Sequence, residues 1–68
     1  MLMNDISRNI KKMRSKRGFS QDKLSKIANV AYNTIIKIES GCVQNPTIQT
    51  VSKIAKALNV SIDELIKS

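Results

Sequence analysis

This sequence is poor in the residues that build metal sites and disulfides. It has no histidine, no tryptophan and a single cysteine, Cys42, among its 68 residues. Without a second cysteine no internal disulfide can form, and a lone cysteine fits a reducing compartment. The common zinc sites need several histidine or cysteine ligands. We therefore expect no metal site and no cofactor.

Aromatic residues and long apolar runs are also scarce. Phe19 and Tyr32 are the only aromatic residues, so a core must be built mainly from aliphatic side chains. No apolar run approaches the roughly 20 residues of a membrane-spanning helix, and the opening Met-Leu-Met is too short for a signal peptide. We expect one domain over residues 1–68, cytoplasmic and without a membrane partner.

Acidic residues are few, and this deficit is concentrated in one half of the chain. Five acidic residues stand against twelve Lys and Arg, which gives a formal net charge of +7. Residues 1–37 hold nine of the basic residues and two of the acidic ones, whereas residues 38–68 hold three of each. A one-sided basic field suits a polyanion, most commonly nucleic acid. The alternative is a solvated helix face that only keeps the protein soluble.

The spacing of apolar residues predicts an all-α fold with five helices. They are expected at about 5–17, 20–28, 31–40, 47–58 and 61–67. Ser20, Thr47 and Ser61 are expected N-caps, whereas Ala31 offers no capping oxygen. Buried stripes are expected at Ile6, Ile10 and Met13, at Leu24, Ile27 and Ala28, and at Ile48, Val51, Ile54, Ala55 and Leu58.

The stretch at about 20–39 has the form of a helix-turn-helix. Two short helices are joined by a tight turn at Asn29, a residue that tolerates the left-handed conformation. The second helix of such a unit can lie in the DNA major groove. Its outward positions recur at i, i+1, i+4 and i+5, and they are Tyr32, Asn33, Ile36 and Lys37.

The chemistry of these outward residues suits base recognition. Asn33 can make a bidentate contact to adenine, and Lys37 can donate to guanine O6 and N7. Tyr32 offers a hydroxyl and a ring edge, although it can also be a surface aromatic that covers core. Ile36 can meet a thymine methyl or turn into the domain, and both alternatives stay open. Thr34 lies between the two faces and can serve packing or a backbone contact.

The start of the second helix is a candidate phosphate site. Ser20 and Gln21 stand where unpaired backbone N–H groups point outward, which favours an anion. Gln21 can add its side-chain amide to the same phosphate. The alternative is that Gln21 is a neutral first-turn residue.

An ordered series of motifs extends from about Ile6 to Ile66. Its members are Phe19-Ser20-Gln21, Leu24, Ala28-Asn29-Val30, Thr34-Ile35, Ile38-Glu39, Gly41, Pro46, the run 54–61 and Asp63-Glu64-Leu65. This series resembles the lambda-repressor-like, Xre-type helix-turn-helix family. The resemblance implies a compact five-helix lambda-repressor-like domain. It also implies that Tyr32, Asn33 and Lys37 read bases, with Ala31 at the edge of that set.

The resemblance assigns further roles. It implies phosphate contacts from Gln21, Ser40, Gln44 and Asn45, and an ion pair between Arg14 and Glu39. Two departures stand out: Asn29 and Ala31 replace a common Gly and a common Ser or Thr, and the loop at 42–47 contains no Lys or Arg.

The expected function is a sequence-specific, double-stranded DNA-binding transcriptional regulator, a repressor on a palindromic operator. The resemblance implies a homodimer, with Ile62, Leu65, Ile66 and also Leu2 and Met3 as interface candidates; alternatively Ile62 and Leu65 close the core. The other hypothesis is an antitoxin or similar protein-interaction module with a toxin or antagonist partner. With no histidine and no glycine-rich phosphate loop, we do not expect an enzyme. No small-molecule ligand is predicted.

Overall fold

The computed structural model describes residues 4–43 and 45–67, and these ranges contain five helices and no strand. The helices are α1 (Asn4–Lys16), α2 (Gln21–Ala28), α3 (Tyr32–Glu39), α4 (Ile48–Leu58) and α5 (Ile62–Ile66). The expected all-α fold is confirmed, and each helix end lies within one residue of its expected position. Gln44, Leu2 and Met3, which carried expectations above, lie outside the described residues.

Local side-chain chemistry explains where most of these helices begin. Ser20, Thr47 and Ser61 adopt extended backbone conformations, and each side-chain oxygen accepts a hydrogen bond from the N–H three residues later. Ala31 has a similar extended backbone but makes no side-chain cap. Helix α3 therefore begins without the hydroxyl bond that α2, α4 and α5 have.

The turn between α2 and α3 depends on a left-handed asparagine. Asn29 ends α2 with φ 57° and ψ 46°, and its N–H bonds back to the carbonyls of Ser25 and Lys26. Asparagine tolerates this region better than most residues with a side chain. Because the chain reverses within a few residues, α3 can pack directly against α2.

The core is aliphatic and lies where all five helices meet. Its buried apolar members are Ile10, Leu24, Ala28, Ile35, Ile38, Val51, Ile54, Ala55, Leu58 and Leu65. Phe19 and Val30 pack against this cluster from the two ends of α2. Helix α1 packs on α3 and α5, while α2 packs on α3 and α4.

Two expected core residues are exposed instead. Ile27 is 47% exposed and Ile48 is 70% exposed. A three-residue step leaves Ile27 displaced by about 60° from Leu24 around the helix axis, toward the exposed Lys23. Ile48 shares a line along α4 with the buried Ala55, but it stands at the helix end, beyond the covered part of that line.

Helix α5 is held against α1 by its core side chain and by its backbone. Leu65 is completely buried, so the expectation that it contributes to a dimer interface is wrong, and the alternative that it closes the core is confirmed. Ile62 is half-buried against the core and Ile66 is 37% exposed. The Asn9 side chain donates to the carbonyls of Leu65 at 2.9 Å and Lys67 at 2.6 Å.

None of the helices in the described ranges combines the length and the apolar character that crossing a bilayer requires.

Candidate nucleic-acid interface

One face of α3 is turned to solvent. Tyr32 is 45% exposed, and Asn33 and Lys37 are also exposed. The structure therefore brings three of the expected base-reading residues together on one outward surface of a single helix. Within the described residues, no hydrogen bond or ion pair engages the Asn33 or Lys37 side chain, so their polar groups stay available to a ligand.

The opposite face of α3 anchors the helix. Ile35 and Ile38 are fully buried in the core, and Glu39 is only 3% exposed. Because this face is fixed by packing, the outward side chains are presented from a rigid support rather than from a loop.

The residues at the edges of the outward surface differ in their exposure. Ile36 is half-buried, so part of its side chain is covered by the domain and part is accessible to a ligand. Thr34 is half-buried as well, whereas Ala31 is exposed immediately before α3. Ala31 and Ile36 thus border the surface formed by Tyr32, Asn33 and Lys37.

A polar cluster lies under α3 and is centred on Glu39. Arg14 Nε donates to Glu39 Oε2 at 2.7 Å, and Arg14 Nη2 donates to Oε1 at 3.1 Å. This is the ion pair implied by the family resemblance, and its two side chains are 16% and 2% exposed. Arg14 Nη1 also donates to the Phe19 carbonyl at 2.7 Å. The fork of the guanidinium therefore joins α1 to α3 and to the start of α2.

Gln21 belongs to the same cluster. Its Nε2 donates to Glu39 Oε1 at 3.0 Å, and the residue is half-buried. The sequence predicted a phosphate contact or, alternatively, a neutral first-turn residue. The structure adds an internal partner that neither prediction contained.

The remaining residues expected to contact phosphate differ in whether their polar groups already make hydrogen bonds within the protein. Ser20 is exposed, and its Oγ accepts the Lys23 N–H at 3.0 Å. An oxygen that accepts this bond keeps its hydroxyl hydrogen for another acceptor. Ser40 donates to the Lys37 carbonyl at 3.1 Å, which caps the end of α3. Asn45 is exposed, and Gln44 lies outside the described residues.

Several cations on α1 and α2 already have neighbours. Arg8 pairs with Asp5 at 3.4 Å and Lys26 with Asp22 at 3.1 Å. Lys23 Nζ stands 5.6 Å from the centre of the Phe19 ring. Lys37 has no acidic partner in the described ranges, so its charge stays available to a ligand.

Sequence reasoning did not identify Ser7 as part of this arrangement. The Ser7 hydroxyl donates to the backbone carbonyl of Glu39, which closes the end of α3 from α1. Ser7 precedes Arg14 by seven residues, or two helical turns, so both project from one side of α1. That spacing was the available signal, although it does not reveal what the side chain contacts.

Comparison with known proteins places this arrangement in a family. The model of the HTH_3 helix-turn-helix family matches residues 10–65. The HTH-type transcriptional regulator SinR of Bacillus subtilis (strain 168) is 34% identical over 61 residues, which is 90% of this chain and 55% of SinR. The chain thus spans about half the length of the curated relatives it matches.

Solved structures of SinR share the fold. The structure of SinR, the master regulator for biofilm formation, in complex with DNA matches with a TM-score of 0.89 and 34% identity, covering 91% of this chain and 98% of that one. A SinR–SinI protein complex matches with a TM-score of 0.90 and 33% identity, covering 93% and 61% of the two chains. The family match covers most of the residues and agrees with the motifs at Ser20–Gly41, so the chain belongs to the HTH_3 helix-turn-helix family.

Proposed function

We propose that the protein is a sequence-specific, double-stranded DNA-binding transcriptional regulator. The observation that carries this proposal is the outward surface of α3, where Tyr32, Asn33 and Lys37 are exposed on a helix anchored by its buried face. A helix presented in this way fits the width of the major groove.

The readout follows from the side chains on this surface. Asn33 pairs with adenine through its amide, and Lys37 donates to guanine, each worth about 1–3 kcal/mol of discrimination. Tyr32 meets a phosphate or a thymine methyl beside them, and Ala31 and Ile36 line the edges of the contact. These groups bind through hydrogen bonds, charge and apolar contact, and none of them is set up for catalysis.

Backbone contacts hold the helix in register on the duplex. Ser20 at the start of α2, Thr34 in the first turn of α3, and Ser40, Gln44 and Asn45, which follow α3 in the sequence, supply the phosphate contacts in this proposal. The net charge of +7 draws the domain toward DNA over a longer range and makes binding weaken as salt rises.

The relatives support this function. SinR is a transcriptional regulator that has been solved in complex with DNA, and its match covers nine-tenths of this chain. In this proposal the protein acts as a repressor in the cytoplasm.

We further propose that two copies bind a palindromic site. Ile66 and the exposed part of Ile62 form the apolar contact between the copies in this proposal, without Leu65. Two recognition helices related by a two-fold axis then read half-sites about 34 Å apart. A protein antagonist is a further partner in this proposal, since SinR has also been solved in a complex with the protein SinI.

Selection of bound duplexes from a random DNA pool tests the proposal. We expect enrichment of a palindrome from the wild-type protein, and its centre-to-centre spacing measures the distance between the two α3 helices. A variant with Asn33→Ala and Lys37→Ala is the matched control, and it should lose the motif while keeping its circular dichroism spectrum. If the wild-type protein enriches no motif, DNA recognition by this surface is wrong.

A further inference from the structure

Glu39 is the point at which three helices meet through polar groups. Its carboxylate accepts two bonds from Arg14 on α1 and one from Gln21 on α2, while α3 contributes Glu39 itself. Its backbone carbonyl accepts a further bond from Ser7 on α1. The buried carboxylate therefore connects α1, α2 and α3 at the last residue of the recognition helix.

The bond from Gln21 has a defined direction. An ionised carboxylate can only accept hydrogen bonds, so the carboxamide of Gln21 must present its Nε2 hydrogen to Glu39 Oε1. Because the acceptor is charged and almost fully buried, this bond is stronger than one between two neutral exposed groups.

The start of α2 is thus attached to the cluster at two points. One is the Phe19 carbonyl, which accepts from Arg14 Nη1 at 2.7 Å, and the other is the Gln21 side chain. These points lie on either side of Ser20, the residue that caps α2. The two side chains that make these bonds are Arg14 on α1 and Gln21 on α2, and of these only Gln21 joins α2 directly to α3.

We propose that Gln21 is a positioning residue for DNA recognition: it sets the placement of α3 against α2 through Glu39, and its contribution to binding passes through that bond. This inference rests on the proposed DNA-binding function. It differs from a phosphate contact because it predicts that Gln21 matters to α3 before any DNA is present.

The primary test is a double-mutant cycle on binding to the selected operator. Gln21→Met keeps the length of the side chain and removes its hydrogen bonds, and Arg14→Met with Glu39→Met replaces the ion pair by apolar groups, an exchange that buried ion pairs often tolerate. In the wild-type background we expect Gln21→Met to weaken binding by about tenfold, as for loss of one bond to a charged group. In the background without Glu39 the same substitution should change binding by less than about twofold.

An effect of Gln21→Met that is equal in both backgrounds would mean that Gln21 contacts DNA directly, and the inference would be overturned. If instead the wild-type protein binds no DNA at all, the proposed function fails, and the following measurement still decides the inference.

A second measurement uses only DNA-free protein and does not depend on the apolar pair folding. Backbone amide chemical shifts of α3 are compared between wild-type protein, Gln21→Met and the control Gln49→Met, an exposed glutamine in the first turn of α4. Positioning through Glu39 predicts shifts along Tyr32–Glu39 in Gln21→Met and none there in Gln49→Met. Unchanged α3 shifts in Gln21→Met would overturn the inference.

Discussion

On the inner face of α3 the Glu39 carboxylate accepts three side-chain hydrogen bonds, whereas on the outer face Asn33 and Lys37 have no side-chain partner within the described residues. Both faces carry strongly polar groups, but only the buried ones are satisfied internally. Buried polar groups without partners are costly, whereas exposed groups have water as their partner until a ligand replaces it. The inner polar groups therefore stabilise the fold, and the outer ones are available for recognition.

The largest expected effect comes from removing the ion pair on the inner face of α3. Arg14→Ala leaves the buried Glu39 carboxylate without its cation, and we expect a loss of about 3–5 kcal/mol in the free energy of unfolding. Much of the fold's stability would then be lost, because small domains have only about 5 kcal/mol or a little more to lose. Denaturant unfolding followed by circular dichroism measures this loss.

Lys26→Ala is the control for that substitution. Lys26 also makes an ion pair, with Asp22, but its side chain is 76% exposed and that of Asp22 is 60% exposed. Exposed pairs contribute about 0–1 kcal/mol, so the control should unfold almost as the wild type does. Equal effects of the two substitutions would show that the Arg14–Glu39 pair has no special structural role.

Some features of this structure could be predicted from the sequence, and others could not. Helix spacing, Ser and Thr caps and the left-handed Asn29 are local properties, so all five helices could be predicted within a residue. The depth of burial is not local: Ile27 and Ile48 fit apolar stripes but lie at their uncovered edges.

The same limit applies to the candidate site. The outward position of Asn33 and Lys37 follows from helical spacing, and the Arg14–Glu39 pair followed from the family resemblance. The bonds from Gln21 to Glu39 and from Asn9 to the end of α5 join positions that are distant in sequence. A glutamine or asparagine has both donor and acceptor groups, so its type alone does not select a partner.

An intermediate effect is expected from the outer face. Lys37→Ala and Asn33→Ala should each weaken operator binding by about 1–3 kcal/mol while leaving the melting temperature nearly unchanged. The two substitutions should differ in how binding depends on salt. Loss of the Lys37 charge beside the DNA phosphates should lower the slope of log K against log salt by about 1, whereas loss of the uncharged Asn33 side chain should leave the slope unchanged. Fluorescence anisotropy with a labelled operator gives both quantities.

Lys53→Ala is the control for the loss of a positive charge, since Lys53 is an exposed lysine on α4. It should lower binding much less than Lys37→Ala does. A large loss of folding stability in Lys37→Ala or Asn33→Ala would contradict the assignment of these side chains to a face that is not needed for packing.

The smallest expected effect lies at the start of α3, where the inner and outer faces meet. Ala31 already has an extended backbone like that of the other N-caps, with φ −57° and ψ 139°, but it lacks a side-chain oxygen, and the Thr34 N–H instead donates to the Ala31 backbone carbonyl at 2.9 Å. Ala31→Ser supplies that oxygen, as Ser20 does for Lys23, and should raise the free energy of unfolding by about 1 kcal/mol.

Ala31→Val, which adds bulk without an acceptor, should give no such gain in the same denaturant titration. If the serine and valine variants were stabilised equally, the missing cap would not be what limits α3. If only serine stabilises, the start of the recognition helix is a place where this chain keeps less local stability than its other capped helices, next to the surface that we propose reads DNA.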